Sequence, residues 1–169
     1  MGFGSIWVSW IKECLYGFRA SILVNGSPSV EFDLSNGVKQ GCPLSPFLFI
    51  IAMEPLSALI SKMEQADLFK GFRFPNNGLV VSHLNFADDT IFFMDSNQSS
   101  LINLVRLLRC FAVVSGLKVN FHKSQVVGVA LDSNYIAESA ARIFCQFSWL
   151  PLMYLGLPLG VSAKCNSIC

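Results

Sequence analysis

The chain opens on an apolar stripe of helical period. In "GFGSIWVSWIKECLYG", Ile6, Trp7, Trp10, Ile11, Cys14 and Leu15 share one face of a helix. A face of that kind calls for a partner surface. "RASILVNGSPSVEFDL" then places two β-rich runs around Asn25-Gly26, a pair suited to a tight turn, and predicts a hairpin. "SNGVKQGCPLSP" reads as an irregular loop with two glycines and two prolines. Ser45 followed by Pro46 is a helix start, and the helix should run to about Glu64. Pro55 lies inside it and lacks an N–H, which predicts a kink or break near Ile51 to Pro55.

"ADLFKGFRFPNNG" is a connector with a short strand at Phe72 to Phe74. "LVVSHLNFA" and "TIFFMD" are β-rich runs parted by Asp88 and Asp89, which predicts an antiparallel hairpin over 80–87 and 90–95. "SSLINLVRLLRCFAVVSG" is an amphipathic helix with Leu101, Leu104, Val105, Leu108 and Phe111 on one face. Ser99 or Ser100 is its expected cap and Gly116 its end. "LKVNFHKSQVVGVAL" reads as strand, turn, strand; "NYIAESAARIFC" as a helix; "WLPLMYLGLPLG" as a β-rich tail with turn residues. Helices and antiparallel strands mix without a regular βαβ rhythm, which predicts an α+β fold.

Composition narrows the class. The 169 residues suffice for one domain with a sizeable core. Hydrophobic residues make up 53% and charged residues 14%, which excludes a disordered chain. So apolar a chain is expected to have part of its surface covered by other protein. The longest apolar run, Pro46 to Met53, falls short of the roughly 20 residues of a spanning helix. The N-terminus lacks a signal peptide's charged start and cleavage site, so an intracellular chain with no membrane contact is expected. Cys14, Cys42, Cys110, Cys145, Cys165 and Cys169 lack strong zinc-site spacing, and reduced, mostly buried thiols are expected. Net charge is +1 without a long basic run, so charge alone carries no nucleic-acid footprint.

The adjacent carboxylates of "HLNFADDTIFFM" admit two readings. Asp is a turn former, and a hairpin tip exposes carboxylates to water at no cost. Alternatively, a tight turn aims them at a hard divalent cation. Mg²⁺ prefers carboxylate and phosphate oxygens, and a cation offsets the repulsion of neighbouring like charges. The pair alone does not choose.

Four ordered stretches bear on that choice: "NGVKQGCPLSPFLFIIAMEPLSALI", "HLNFADDTIFF", "SGLKVNFHKS" and "YLGLPLG". Together they resemble the reverse transcriptases of non-LTR retrotransposons, most like the LINE-type elements of plants. "GFGSIWVSWIKECL" and "LVNGSP" are similar to that family's segment between its first two polymerase motifs. The resemblance runs over nearly the whole chain and implies one partial domain over 1–169, a palm holding motifs B to E. The fold it implies is a small antiparallel sheet backed by helices. The implied reaction is addition of deoxynucleotides to a DNA primer on an RNA template, with two Mg²⁺ ions.

Residue by residue, the resemblance assigns metal binding to Asp88, with Asp89 a weaker ligand or electrostatic support. "VKQGCPLSP" matches the second polymerase motif, so Lys39, Gln40 and Gly41 would lie near the nascent base pair and template. Many relatives carry Arg at Lys39 and Asp at Cys42; the first change keeps charge but loses a planar fork. Lys123 fits a lysine proposed to protonate the leaving pyrophosphate, while a solvated turn lysine is its plain reading. His122 is expected to be a surface neighbour, and His83 a strand residue without special task. "YLGLPLG" resembles the hairpin that grips the primer.

The family's first motif carries another metal-binding Asp, upstream of the helix that opens this chain. Only Met1 to Gly4 precede that helix here, and Glu13, Glu31 and Asp33 lack the motif's flanking residues. Fingers, thumb and endonuclease segments find no counterpart either. The expectation is therefore a polymerase fragment, inert alone, that needs the fingers and thumb segments as partners. The alternative is a non-catalytic remnant acting as a binding or structural module.

Overall fold

The computed structural model describes residues 2–16, 19–33, 41–75 and 78–160. The chain forms two compact units, Met1–Met53 and Glu54–Cys169. The predicted opening helix is present as α1 (Ser5–Leu15), with Phe3 stacked on Trp7 at 4.1 Å, yet none of its residues is buried. Next come β1 (Arg19–Ala20), β2 (Leu23–Val24), β3 (Ser27–Pro28) and β4 (Phe32–Asp33). They build the predicted hairpin. Asn25 (φ 51°) and Gly26 (φ 82°) both take positive φ, as a type I′ turn requires. Ala20 pairs with Phe32 and Leu23 with Pro28, so residues 29–31 oppose residues 21–22. That extra residue is a bulge, held by the Ser29 N–H donating to the Ile22 carbonyl at 2.8 Å.

Helix α2 (Ser45–Gln65) starts at the predicted Ser-Pro pair and passes through Pro55 without the expected break. One proline forfeits one intrahelical bond, and buried Leu56 and Ile60 hold the following turns on the core. The boundary between the units nevertheless falls within residues 51–55. Contrary to the expectation from uninterrupted apolar runs, α2 is long and apolar enough, by length and composition, to cross a membrane. A core helix passes the same test, and Leu56 and Ile60 place part of α2 in the protein interior.

The second unit continues with β5 (Phe72–Arg73) and β6 (Val80–Val81), an antiparallel pair, then β7 (His83–Phe86) and β8 (Asp89–Phe92). Helix α3 (Gln98–Ser115) follows the predicted face. Its cap is Asn97, whose side chain accepts from the Ser99 N–H at 2.9 Å, rather than Ser99 or Ser100. Ser100 is buried inside the first turn instead. Gly116 (φ 75°) ends the helix as expected. Leu104, Val105, Leu107, Leu108 and Phe111 join Leu56, Ile60, Phe69, Ile136, Ala140 and Ile143 in one core.

Beyond α3 the reading needs correction. Residues 117–120 form no strand, and β9 (Gln125–Gly128) pairs in parallel with β10 (Gln146–Trp149) across helix α4 (Ser133–Arg142). This βαβ unit was not legible as such. Gly128 makes it possible: a Cβ there would stand 1.9 Å from Ile136 Cδ1 of α4. The tail forms the hairpin of β11 (Leu152–Tyr154) and β12 (Leu157–Leu159). Helices and short strands thus mix as an α+β fold requires, but the strands form six two-stranded ladders among the described residues rather than a single sheet.

Candidate functional site: the aspartate hairpin

Strands β7 and β8 pair antiparallel from His83↔Phe92 to Phe86↔Asp89, leaving Ala87 and Asp88 as a two-residue turn. The expected hairpin is there, shorter than 80–87 and 90–95 because Ser82 separates β6 from β7. Asp88 sits in the turn and Asp89 opens β8, and both are exposed. The tip stands in water, as the turn-former reading has it, so the carboxylates carry no burial cost. Ala87 holds φ 50°, a left-handed conformation that costs a non-glycine residue roughly 1–3 kcal/mol.

The ion pairs among the described residues are Arg19–Glu31, Arg19–Asp33 and Lys70–Asp67. Asp88 and Asp89 are in none of them, so both keep their acceptor oxygens for an incoming group. No three His, Cys, Asp or Glu side chains cluster as a metal site among the described residues. The donor set at the tip is two adjacent carboxylates. That suits Mg²⁺, which usually takes one or two protein carboxylates and fills its shell with water and substrate phosphates.

The other expected site residues fall elsewhere. Lys123 is exposed on the turn before β9, its N–H donating to the Asn120 carbonyl at 3.1 Å, and its amine forms no ion pair with the aspartates. Beside that turn, Arg109, Lys118, His122 and Phe144 help line a groove of about 520 Å³. Lys39 and Gln40 lie outside the described residues. Gly41 (φ 78°), in the first unit, holds a left-handed backbone that favours glycine, and no described residue lies within 4 Å of where its Cβ would be. The described thiols are in no disulfide but are not mostly buried: Cys14 and Cys110 are exposed and Cys42 and Cys145 intermediate, while Cys165 and Cys169 lie outside the described residues. Cys14 rides on a helix with no buried residue, and Cys110 on the outer side of α3. Burial pushes the Cys145 thiol up, so it stays protonated at neutral pH.

His83 was assigned no task from sequence. In the structure its Nε2 lies 2.9 Å from Ser57 Oγ on α2, and its Nδ1 3.1 Å from Ser82 Oγ. The signal that could have found it is a polar ring at the root of a β-rich run, beside a serine.

The family model for reverse transcriptase (RNA-dependent DNA polymerase) matches residues 1–159. The chain belongs to the reverse transcriptase family. It is 28% identical over 162 residues to the 149 kDa protein of transposon TX1 from Xenopus laevis, covering 93% of this chain and 12% of that protein. It is 30% identical over 122 residues to the retrovirus-related Pol polyprotein of the type-2 retrotransposable element R2DM from Drosophila melanogaster, covering 72% of this chain and 11% of the polyprotein. It is 41% identical over 73 residues to an uncharacterized mitochondrial protein of Arabidopsis thaliana, covering 43% of this chain and 60% of that protein. The retrotransposon reading of the four motifs is borne out. Reverse transcriptases use divalent metal ions, a nucleic-acid template and nucleotide substrates.

Proposed function

We propose that this chain supplies the palm and catalytic hairpin of an RNA-directed DNA polymerase. The observation that carries the proposal is the exposed Asp88-Asp89 pair on a tight antiparallel turn, inside a chain of the reverse transcriptase family. Asp88 is the principal carboxylate ligand for Mg²⁺ and Asp89 its weaker neighbour. Bound there, Mg²⁺ would supply charge stabilisation for the attacking and leaving oxygens. In the reaction the primer 3′ hydroxyl gives up its proton to solvent, its O3′ bonds to the α-phosphorus of a deoxynucleotide, and the bond from that phosphorus to the bridging oxygen breaks to release pyrophosphate. Lys123 holds a proton at Nζ for that leaving group. Lys39, Gln40 and Gly41 contact template and nascent base pair. RNA template, DNA primer and the fingers and thumb segments complete the working enzyme.

Two adjacent carboxylates hold Mg²⁺ weakly without a further ligand, so the 169-residue segment is proposed to be inert by itself. The experiment is primer extension on RNA by a longer polypeptide that joins this segment to an upstream aspartate motif and a thumb. Asp88→Asn should reduce the rate by orders of magnitude, since it removes charge while nearly keeping shape. Asp89→Asn should do less, and Lys123→Ala should lower kcat by roughly 10²–10⁴-fold with little change in KM. Extension indifferent to Asp88→Asn would remove the metal-site assignment. The alternative, a non-catalytic binding module, has no observation that favours it.

A further inference from the structure

We infer that the Ser57–His83–Ser82 bridge positions the Asp88-Asp89 turn by fastening the root of its hairpin to helix α2. A two-stranded hairpin is marginal by itself, and this one buries little of its own surface. Leu84 and Phe86, on the strand leading to the turn, are 55% and 59% exposed. The hairpin therefore needs anchorage at its base. Main-chain bonds supply some: the Phe93 N–H donates to the Ser82 carbonyl at 2.8 Å, and the Asp95 N–H to the Lys70 carbonyl at 3.1 Å.

His83 adds a side-chain tie to the core. Ser57 follows Leu56 and precedes Ile60, both at most 2% exposed, so its hydroxyl rides on a fixed stretch of helix. A neutral imidazole has one N–H donor and one acceptor nitrogen, and a serine hydroxyl can donate or accept. Ser57 and Ser82 thus satisfy both ring nitrogens in either tautomer. The ring also faces its cross-strand partner Phe92, with centroids 6.4 Å apart. His83 is a positioning residue: it touches neither aspartate, and acts by restraining the strand that delivers them. Its consequence for metal binding rests on the function proposed above; the mechanical restraint does not.

The test is amide hydrogen exchange on the ¹⁵N-labelled 169-residue chain, with Mn²⁺ titration followed by paramagnetic broadening of the Asp89 amide. Ser57→Ala removes the helix end of the bridge, and His83→Phe removes both bonds while keeping the ring against Phe92. Each should speed exchange at Leu84 and Ile91, which face each other as a hydrogen-bonded pair, about fivefold, the effect of one net hydrogen bond. The double variant should exceed neither single by much. Leu107 and Leu108 of α3 should exchange as before, and Ser57→Thr, which keeps the hydroxyl, should restore hairpin protection. Mn²⁺ affinity should fall by a similar factor. Unchanged hairpin exchange in Ser57→Ala would overturn the inference, and so would equal acceleration in α3, which would mean a general loss of stability. An Asp88→Asn chain that binds Mn²⁺ as before would instead defeat the metal-site reading, leaving the exchange result to judge the bridge.

Discussion

The two units obey the same local rules and differ in what those rules achieve. Among the described residues of Met1–Met53, none is buried, although α1 and the β1–β4 hairpin are well formed. In Glu54–Cys169, eleven apolar side chains lie in one core, drawn from α2, α3, α4 and the segments after α2 and α4. Periodicity and turn chemistry suffice to shape a helix or a tight turn. Burial needs surfaces from distant parts of the chain, and it is burial that supplies most of a fold's free energy.

The contrast breaks most sharply in the core. Phe69→Ala, at a site 1% exposed, should cost about 3–5 kcal/mol in urea unfolding. Trp10→Ala, at 66% exposed on α1, should stay within about 0.5 kcal/mol. Equal shifts in the two midpoints would show that α1 is buried in solution. A smaller effect is expected where α4 crosses β9. Gly128→Ala should cost about 1–3 kcal/mol by overpacking against Ile136, and adding Ile136→Val should recover part of the loss in the same unfolding assay. Without recovery, the clash lies elsewhere. Smallest are the surface polar contacts. Asp132 caps α4 by accepting from the N–H groups of Asn134 and Tyr135, and Asp132→Ala should lower stability by about 1 kcal/mol. Arg19→Ala, losing exposed pairs to Glu31 and Asp33, should change it by about 0–1 kcal/mol, an effect that fades in a salt titration.

Much of the candidate site was legible because its chemistry is local. Two β-rich runs around Asp88-Asp89 announce a hairpin, and the structure forms it with Asp88 in the turn. Exposure of the pair was one of two readings the sequence left open, and apolar neighbours such as Leu84 and Phe86, which look like interior residues, turn out to stand in solvent as well. His83 was passed over because its partner Ser57 is 26 residues away. Nothing in a strand's own pattern reports a helix hydroxyl brought alongside it.

The amino-acid sequence by itself determined the four helices, the turn at Asn25-Gly26, a hairpin turn at the aspartate pair that the structure places one residue earlier, and the family, through the order of its motifs. Each depends on side-chain period, backbone φ preference or residue order, which are properties of short stretches. Tertiary structure decided that β9 and β10 run parallel, that α2 passes Pro55 unbroken, and that His83 meets Ser57. Those outcomes turn on which distant surfaces bury one another. The parallel pair shows why: β-rich runs look alike in either direction, and only α4, seated over a glycine with no room for a Cβ, makes the crossover between them.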